Sequence, residues 1–324
     1  MLIRELNDYS GLPCYFCPSA FIQSRYMFSH SLQNILLAAA FSLTAVSVKA
    51  QKVQEPKITN EEWNKPYKPF RIAGNLYYVG TYDLACYLIT TTEGNILINT
   101  GLAASDTLIK NNIETLGFEF TDTKILLTTQ AHYDHMGAMA AIKEMTGAKM
   151  MVDDKDAAVL KDGGSSDYAL GGNGSTYQPV TPDRLLHNGD TITLGNMQLV
   201  MLHHPGHTKG SSSFTTTLRE AGRDYSVLIA NMGSINPGVN VAFMPAFKEI
   251  TQAYLGTLER QKQLRPDVWL SSHAPQFNLY QKRNPGDAYD PNRFVDPDGY
   301  GAKIQFYEKL FRAALDKDRA NTNK

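Results

Sequence analysis

The apolar run Ile125-Leu126-Leu127-Thr128-Thr129 passes without a break into Gln130-Ala131-His132-Tyr133-Asp134-His135, and a helix-like run, MGAMAAIKEMTG, follows at once. A continuous apolar segment of this length reads as a strand buried on both faces. Two imidazoles, a carboxylate and an amide therefore cluster where a buried strand emerges. The same grammar recurs three times: QLVMLHHPGHTKGS, YSVLIANMG and PDVWLSSHA each run from an apolar strand into polar chemistry. Strands alternating with helical patterns such as SDTLIKNNIETLG and AFKEITQAYLGTLERQKQL favour a layered α/β fold, in which sites form at strand ends. NLYYVG, ACYLITTT and GNILINTG add three early strands, the last two joined at Glu93-Gly94 as in a hairpin.

Zinc takes imidazole nitrogen and carboxylate oxygen from separate chain segments. His132, Asp134 and His135 supply one such segment, His207 in HPGHTKGS a second, and His273 in SSHA a third. The i, i+2 spacing of His132 and Asp134 in an extended segment places them on one side, and a helix beginning at His135 turns that residue elsewhere, so one segment serves two metals. A lone histidine is usually a satisfied core or surface residue. On that ground His30 and His187 carry little metal signal, and His203 and His204 read as packing or supporting residues. Cys14 and Cys17 have CxxC spacing but no second pair, which is weak, and Cys86 is the remaining cysteine.

The chain has 324 residues with a formal net charge of −1. It has no basic field that calls for nucleic acid. The first fifty residues differ from the rest: Ile35 to Val46 is a short apolar stretch ending in Val48-Lys49-Ala50, which reads as a leader removed after Ala50. Met1 and Met27 are both candidate starts; Arg25 supplies positive charge ahead of the stretch in the first case. Residues 51–324 contain no Pro/Ser-rich linker and read as one domain of two similar halves, with no membrane span of the roughly 18 apolar residues required. GGSSDYALGGNGSTYQPVTPD between the halves reads as a loop, with Tyr168 and Tyr177 as candidate lid residues.

QAHYDH, HHPGHTKGS, NLYYVGTYDLA, GNILINTG and LIANM together make the chain resemble the metallo-β-lactamase superfamily, and within it the subclass B3 enzymes of the GOB type, which carry Gln where the motif's first His is usual. The likeness runs from about Phe70 to His273 and beyond. It implies a four-layer αβ/βα sandwich, with one metal site from Gln130, His132 and His207 and a second from Asp134, His135 and His273. A neutral amide is a poorer zinc ligand than imidazole, so the second site is expected to fill first. It further implies one or two Zn2+ ions, a β-lactam as substrate, and hydrolysis by hydroxide drawn from zinc-bound water, whose pKa falls to about 7. Asp134 is the expected catalytic carboxylate, both ligand and orienter. Ser234, Lys209 and Ser211 are candidate contacts for an anionic substrate, and Ser211 serves equally as a loop fastener.

No GxSxG or SxxK nucleophile appears in a fitting context. Lactonases and glyoxalases of the superfamily bridge two metals with a carboxylate at the end of the later strand, where this chain has Asn231 and Met232. A lactonase or thioesterase is thus the runner-up, and a closed structural zinc module stands behind it. The expected protein is a monomeric, periplasmic β-lactamase conferring antibiotic resistance.

Overall fold

In the computed structural model, which describes residues 52–322, the first sheet follows chain order: β1 (Phe70–Ala73), β2 (Leu76–Tyr78), β3 (Tyr87–Thr91), β4 (Gly94–Ile98), β5 (Thr123–Leu127), β6 (Lys149–Asp153) and β7 (Arg184–Leu186). Strands β1 to β4 form an antiparallel meander, and β4 to β7 run parallel. The second sheet has β8 (Thr191–Leu194), β9 (Met197–His203), β10 (Ser212–Glu220), β11 (Arg223–Ala230) and β12 (Val268–Ser271), each beside the next. Only β11 and β12 pair in parallel there, because a helix carries the chain between them. The leader read over residues 1–50 lies outside the described residues.

Side chains alternate along each central strand, and both faces are buried. Ile96, Ile98, Ile125 and Leu127 face inward to meet Leu199, Met201 and Phe214 of the second sheet. Leu97, Leu126 and Met150 face the other way. Against them lie α1 (Asp106–Thr115), α2 (Tyr133–Met136), α3 (Met139–Thr146) and α4 (Ala157–Lys161), which contribute Ile109, Met136, Ile142 and Leu160. Beyond the second sheet come α5 (Ile250–Gln263), α6 (Leu279–Lys282) and α7 (Pro297–Thr322). Trp269 meets Tyr300 at 5.9 Å between ring centroids, and Tyr254 stacks on Phe311 at 5.1 Å. The layers are therefore helix, sheet, sheet, helix, as the αβ/βα expectation has it. Burying each of these Ile or Leu side chains contributes about 1.5–3 kcal/mol, so the sandwich has a large core that involves none of the candidate metal ligands.

Helix α7 is not assigned in the sequence reading. It runs from Pro297 to Thr322 because Tyr300, Ile304, Phe311 and Leu315 recur at helical spacing and bury. Among the described residues no helix is long and apolar enough to cross a membrane.

The two sheets are stitched at one edge. Tyr87 on β3 donates its hydroxyl to the Ser271 carbonyl at 2.6 Å, Ala85 N–H donates to Ser272 O at 3.0 Å, and Leu84 bridges to His273. That edge is where β5, β9, β11 and β12 all end.

Candidate metal centre

The loop after β4 holds the hexapeptide in place. Asn99 adopts φ 63°, and its Oδ1 accepts from Thr129 N–H at 2.9 Å and Thr129 Oγ1 at 3.1 Å. Thr100 N–H donates to His135 O and Gly137 N–H to Gly101 O, each at 2.9 Å. Held this way, the chain turns earlier than the spacing suggests. His132 is the last extended residue (φ −88°, ψ 155°), and His135 N–H and Met136 N–H both donate to its carbonyl, so helix α2 begins at Tyr133. The reading of an extended segment through Asp134 is corrected: Asp134 already lies in the helical turn, and it faces different partners from His132.

His132 meets His207. Their Nδ1 and Nε2 atoms are 3.1 Å apart, with the rings at 70°. Burial and the neighbouring His132 push the His207 imidazole down to about 3, so it is neutral. Burial also acts to lower His132, but the Asp167 carboxylate beside it outweighs that and holds it above its ordinary value. His207 is fixed from behind by the Ser234 carbonyl, 2.8 Å from Nδ1, with Ser234 Oγ at 3.1 Å. Gln130 is 3% exposed, with Oε1 3.4 Å from Asn231 Nδ2.

The loop bearing His207 is gripped on every side. Gly206 takes φ +144°, and a Cβ there would come within 3.0 Å of the Tyr254 ring. Tyr168 donates to the Gly206 carbonyl at 2.6 Å and Thr257 to that of Pro205 at 2.7 Å. Asp156 accepts from Thr208 Oγ1 at 2.6 Å and Gly210 N–H at 2.7 Å. Ser211 is fully buried, and its hydroxyl accepts from Thr208 N–H at 2.7 Å. That geometry gives Ser211 the fastening role and corrects its candidacy as a substrate contact. Lys209 stays half-buried, its ammonium 5.8 Å from the Phe247 ring centroid. Tyr168 and Tyr177 are both buried and hydrogen-bonded, Tyr177 to the Val159 carbonyl at 3.1 Å, so they are fasteners and not a lid.

Asp134, His135 and His273 form the second group. One ligand atom of each lies within 4.8 Å of the others. Asp134 Oδ2 is 3.2 Å from His135 Nε2 and 3.5 Å from His273 Nε2. Burial acts to raise the Asp134 carboxyl, yet the two imidazoles hold it well below its usual range. His135 is lowered, chiefly by burial. His273 is pushed up to about 9, because Asp134 and Asp83 outweigh its burial. His135 is fully buried; its Nδ1 has no hydrogen-bond partner, and its Nε2 meets only the Asp134 carboxylate, at 3.2 Å and without directed hydrogen-bond geometry. Leaving such a group unpaired costs about 1–3 kcal/mol. A cation on Nε2 would give that nitrogen a directed partner, and a carboxylate with two imidazoles is a donor set that zinc accepts, so these residues fit the ion.

Three polar residues at this edge escape the sequence reading. Asp167 Oδ1 lies 3.3 Å from His132 Nε2, and Asp83 Oδ1 lies 2.8 Å from His273 Nδ1. Asn99 is the third. Each stands alone among ordinary loop residues, without the spacing that marks a motif.

The family described as the metallo-beta-lactamase superfamily matches residues 81–220. The chain is similar to the class B3 di-zinc metallo-beta-lactamase LRA-12 from an Alaskan soil metagenome, at 57% identity and TM-score 0.80, over 81% of this chain and 100% of that one. It is also similar to the metallo-beta-lactamase GOB-18 from Elizabethkingia meningoseptica, at 51% identity and TM-score 0.81, over 83% of this chain and 99% of that one. A shorter likeness, 33% identity over 97 residues, joins 27% of this chain to 35% of an acyl-coenzyme A thioesterase, MBLAC2, of Gallus gallus. The chain thus spans little more than a third of the length of the curated relatives it matches. Since identities of 51–57% extend over essentially the full length of two solved structures that share its paired sheets, this chain belongs to the metallo-β-lactamase superfamily.

Proposed function

We propose that this protein is a zinc-dependent hydrolase of β-lactams. The observation that carries the reading is the meeting of five side chains, distant in sequence, in two groups at one sheet edge: His132 with His207, and Asp134 with His135 and His273. Gln130 completes the first group in the arrangement that the family likeness implies. Zinc bound there supplies a Lewis acid that brings the pKa of water to about 7 and polarises a carbonyl.

The chain's own residues do the rest. Asp134 is held ionised far below neutral pH, which suits it to accept a hydrogen bond from water and orient it, and unsuits it to store a proton. Hydrolysis adds the water oxygen to the carbonyl carbon, breaks the C–N bond and delivers a proton to nitrogen. Ser234, half-buried beside His207, and Lys209, two residues after His207, are the polar groups offered to a substrate carboxylate. A β-lactam is favoured over a lactone or thioester because the end of β11 is followed by Asn231 and Met232, in the vicinity where superfamily hydrolases of those esters carry a bridging carboxylate; the Asn231 amide donates to the Thr129 carbonyl at 3.1 Å. Residues 1–50 are proposed to direct export to the periplasm, with cleavage after Ala50, where N-terminal sequencing of the exported protein should begin at Gln51.

Turnover of a chromogenic cephalosporin, abolished by chelation and restored by zinc, is the expected result. Robust lactone or thioester hydrolysis without β-lactam turnover overturns the assignment in favour of another hydrolase of this fold.

A further inference from the structure

The histidines of the two groups are braced from behind by different partners, His207 by the Ser234 carbonyl and His273 by a carboxylate. Behind His132, Asp167 approaches Nε2 at 3.3 Å without making a directed hydrogen bond. Behind His273, Asp83 Oδ1 sits 2.8 Å from Nδ1, within ordinary hydrogen-bond distance. Asp83 is 6% exposed and is itself held: its other oxygen accepts from Asn60 Nδ2 at 3.3 Å, and its carbonyl accepts from Ala274 N–H at 2.7 Å. The Leu84 to His273 bridge keeps the two backbones in register. His273 is therefore fixed by main chain on one side and by a carboxylate on the other.

A neutral imidazole carries one proton, and a carboxylate on Nδ1 keeps that proton there. An ion that displaces the other proton of the ring therefore finds its lone pair on Nε2. Nε2 is also the atom that faces Asp134, at 3.5 Å.

We propose that Asp83 is a positioning residue for the second metal site: it holds the His273 Nδ1 proton and the ring direction so that Nε2 is the nitrogen presented, with Asp134 and His135, to an ion. This rests on the zinc hydrolase reading above and deepens it. Asn60 acts one step further out, by restraining Asp83. The first site lacks an equally well-formed partner behind His132 and has an amide in place of one imidazole.

The test compares wild type with Asp83→Ala, Asp83→Asn and Asn60→Ala, each stripped of metal and titrated with Zn2+ against a competing chelator. Loss of a carboxylate behind a ligating histidine typically weakens metal affinity about 10–100-fold. Asp83→Ala is expected to lose that much at one site and leave the other unchanged. Asp83→Asn, whose Oδ1 still accepts from Nδ1–H, is expected to recover part of the loss, and Asn60→Ala to show a smaller loss in the same site. In the Co2+-substituted wild-type protein the shielded His273 Nδ1–H gives a slowly exchanging, paramagnetically shifted proton signal; Asp83→Ala abolishes it and Asp83→Asn retains it. Equal weakening of both sites with a lower melting temperature of the metal-free protein would make Asp83 merely structural and overturn the proposal, as would wild-type affinity in Asp83→Ala. Wild-type protein that takes up no ion at all overturns the hydrolase reading itself, which separates the two failures.

Discussion

Asp156 offers a sharp test of how the His207 loop is held. The carboxyl is 1% exposed and is pushed up to about 6, from 3.8, by burial; the hydrogen bonds from Thr208 and Gly210 oppose the shift, and Asp153 and Asp167 add to it. A displacement from 3.8 to about 6 corresponds to about 3 kcal/mol at about 1.4 kcal/mol per pH unit. Below about pH 3 the group is protonated in both folded and unfolded chains and contributes nothing. Between about 4 and 6 the folded chain still binds a proton that the unfolded chain has released, so stability falls as pH rises. Above 6 both forms are ionised and the full cost is present. Asp156→Asn never ionises. Its Oδ1 still accepts from Gly210 N–H, and the Thr208 hydroxyl can donate to Ser211 Oγ, 2.9 Å away, so the fixed loss should be about 1 kcal/mol. Urea unfolding of metal-free wild type and variant at intervals from pH 4 to 7.5 isolates the term, because the other titrating groups cancel in the difference. The stability of the variant relative to wild type should rise by about 2.5 kcal/mol from pH 4 to 7 and then level off. A difference that is flat, or that falls across this window, would refute the reasoning.

Three further outcomes are expected. Tyr87→Phe leaves the buried Ser271 carbonyl without its 2.6 Å donor and should cost about 1–3 kcal/mol in urea unfolding, with zinc uptake intact since no ligand moves. Gly206→Ala forces an L side chain into φ +144° and against the Tyr254 ring; about 1–3 kcal/mol of destabilisation is expected, accompanied by weaker filling of the site that contains His207, whereas an unchanged melting curve would contradict it. Chelation should abolish turnover yet leave far-ultraviolet circular dichroism and a cooperative melt, because the core contains none of the ligands. Zinc at about 1,000 times its dissociation constant should add about 4 kcal/mol per site; unfolding on chelation would instead mark a closed structural metal module.

The amino-acid sequence by itself determined where the chemistry would sit along the chain. Apolar runs such as ILLTT and VWLSS, ended by His, Pro and Gly, are local signals, and local signals survive without a partner. They placed Gln130, His132, Asp134, His135, His207 and His273 at strand ends, and strand ends converge in a layered α/β fold. The likeness to the family already implied how those six residues divide; only the tertiary structure decided what stands behind them. The onset of α2 at Tyr133, which separates Asp134 from His132, depends on two N–H groups reaching the His132 carbonyl and on the Asn99 to Gly101 loop clasping the turn. Ser211 turned inward because Thr208 and the buried loop required its oxygen. Asp83 lies 190 residues from His273 along the chain, and no periodicity or spacing links positions so far apart; their contact exists only because two sheets close against each other at that edge.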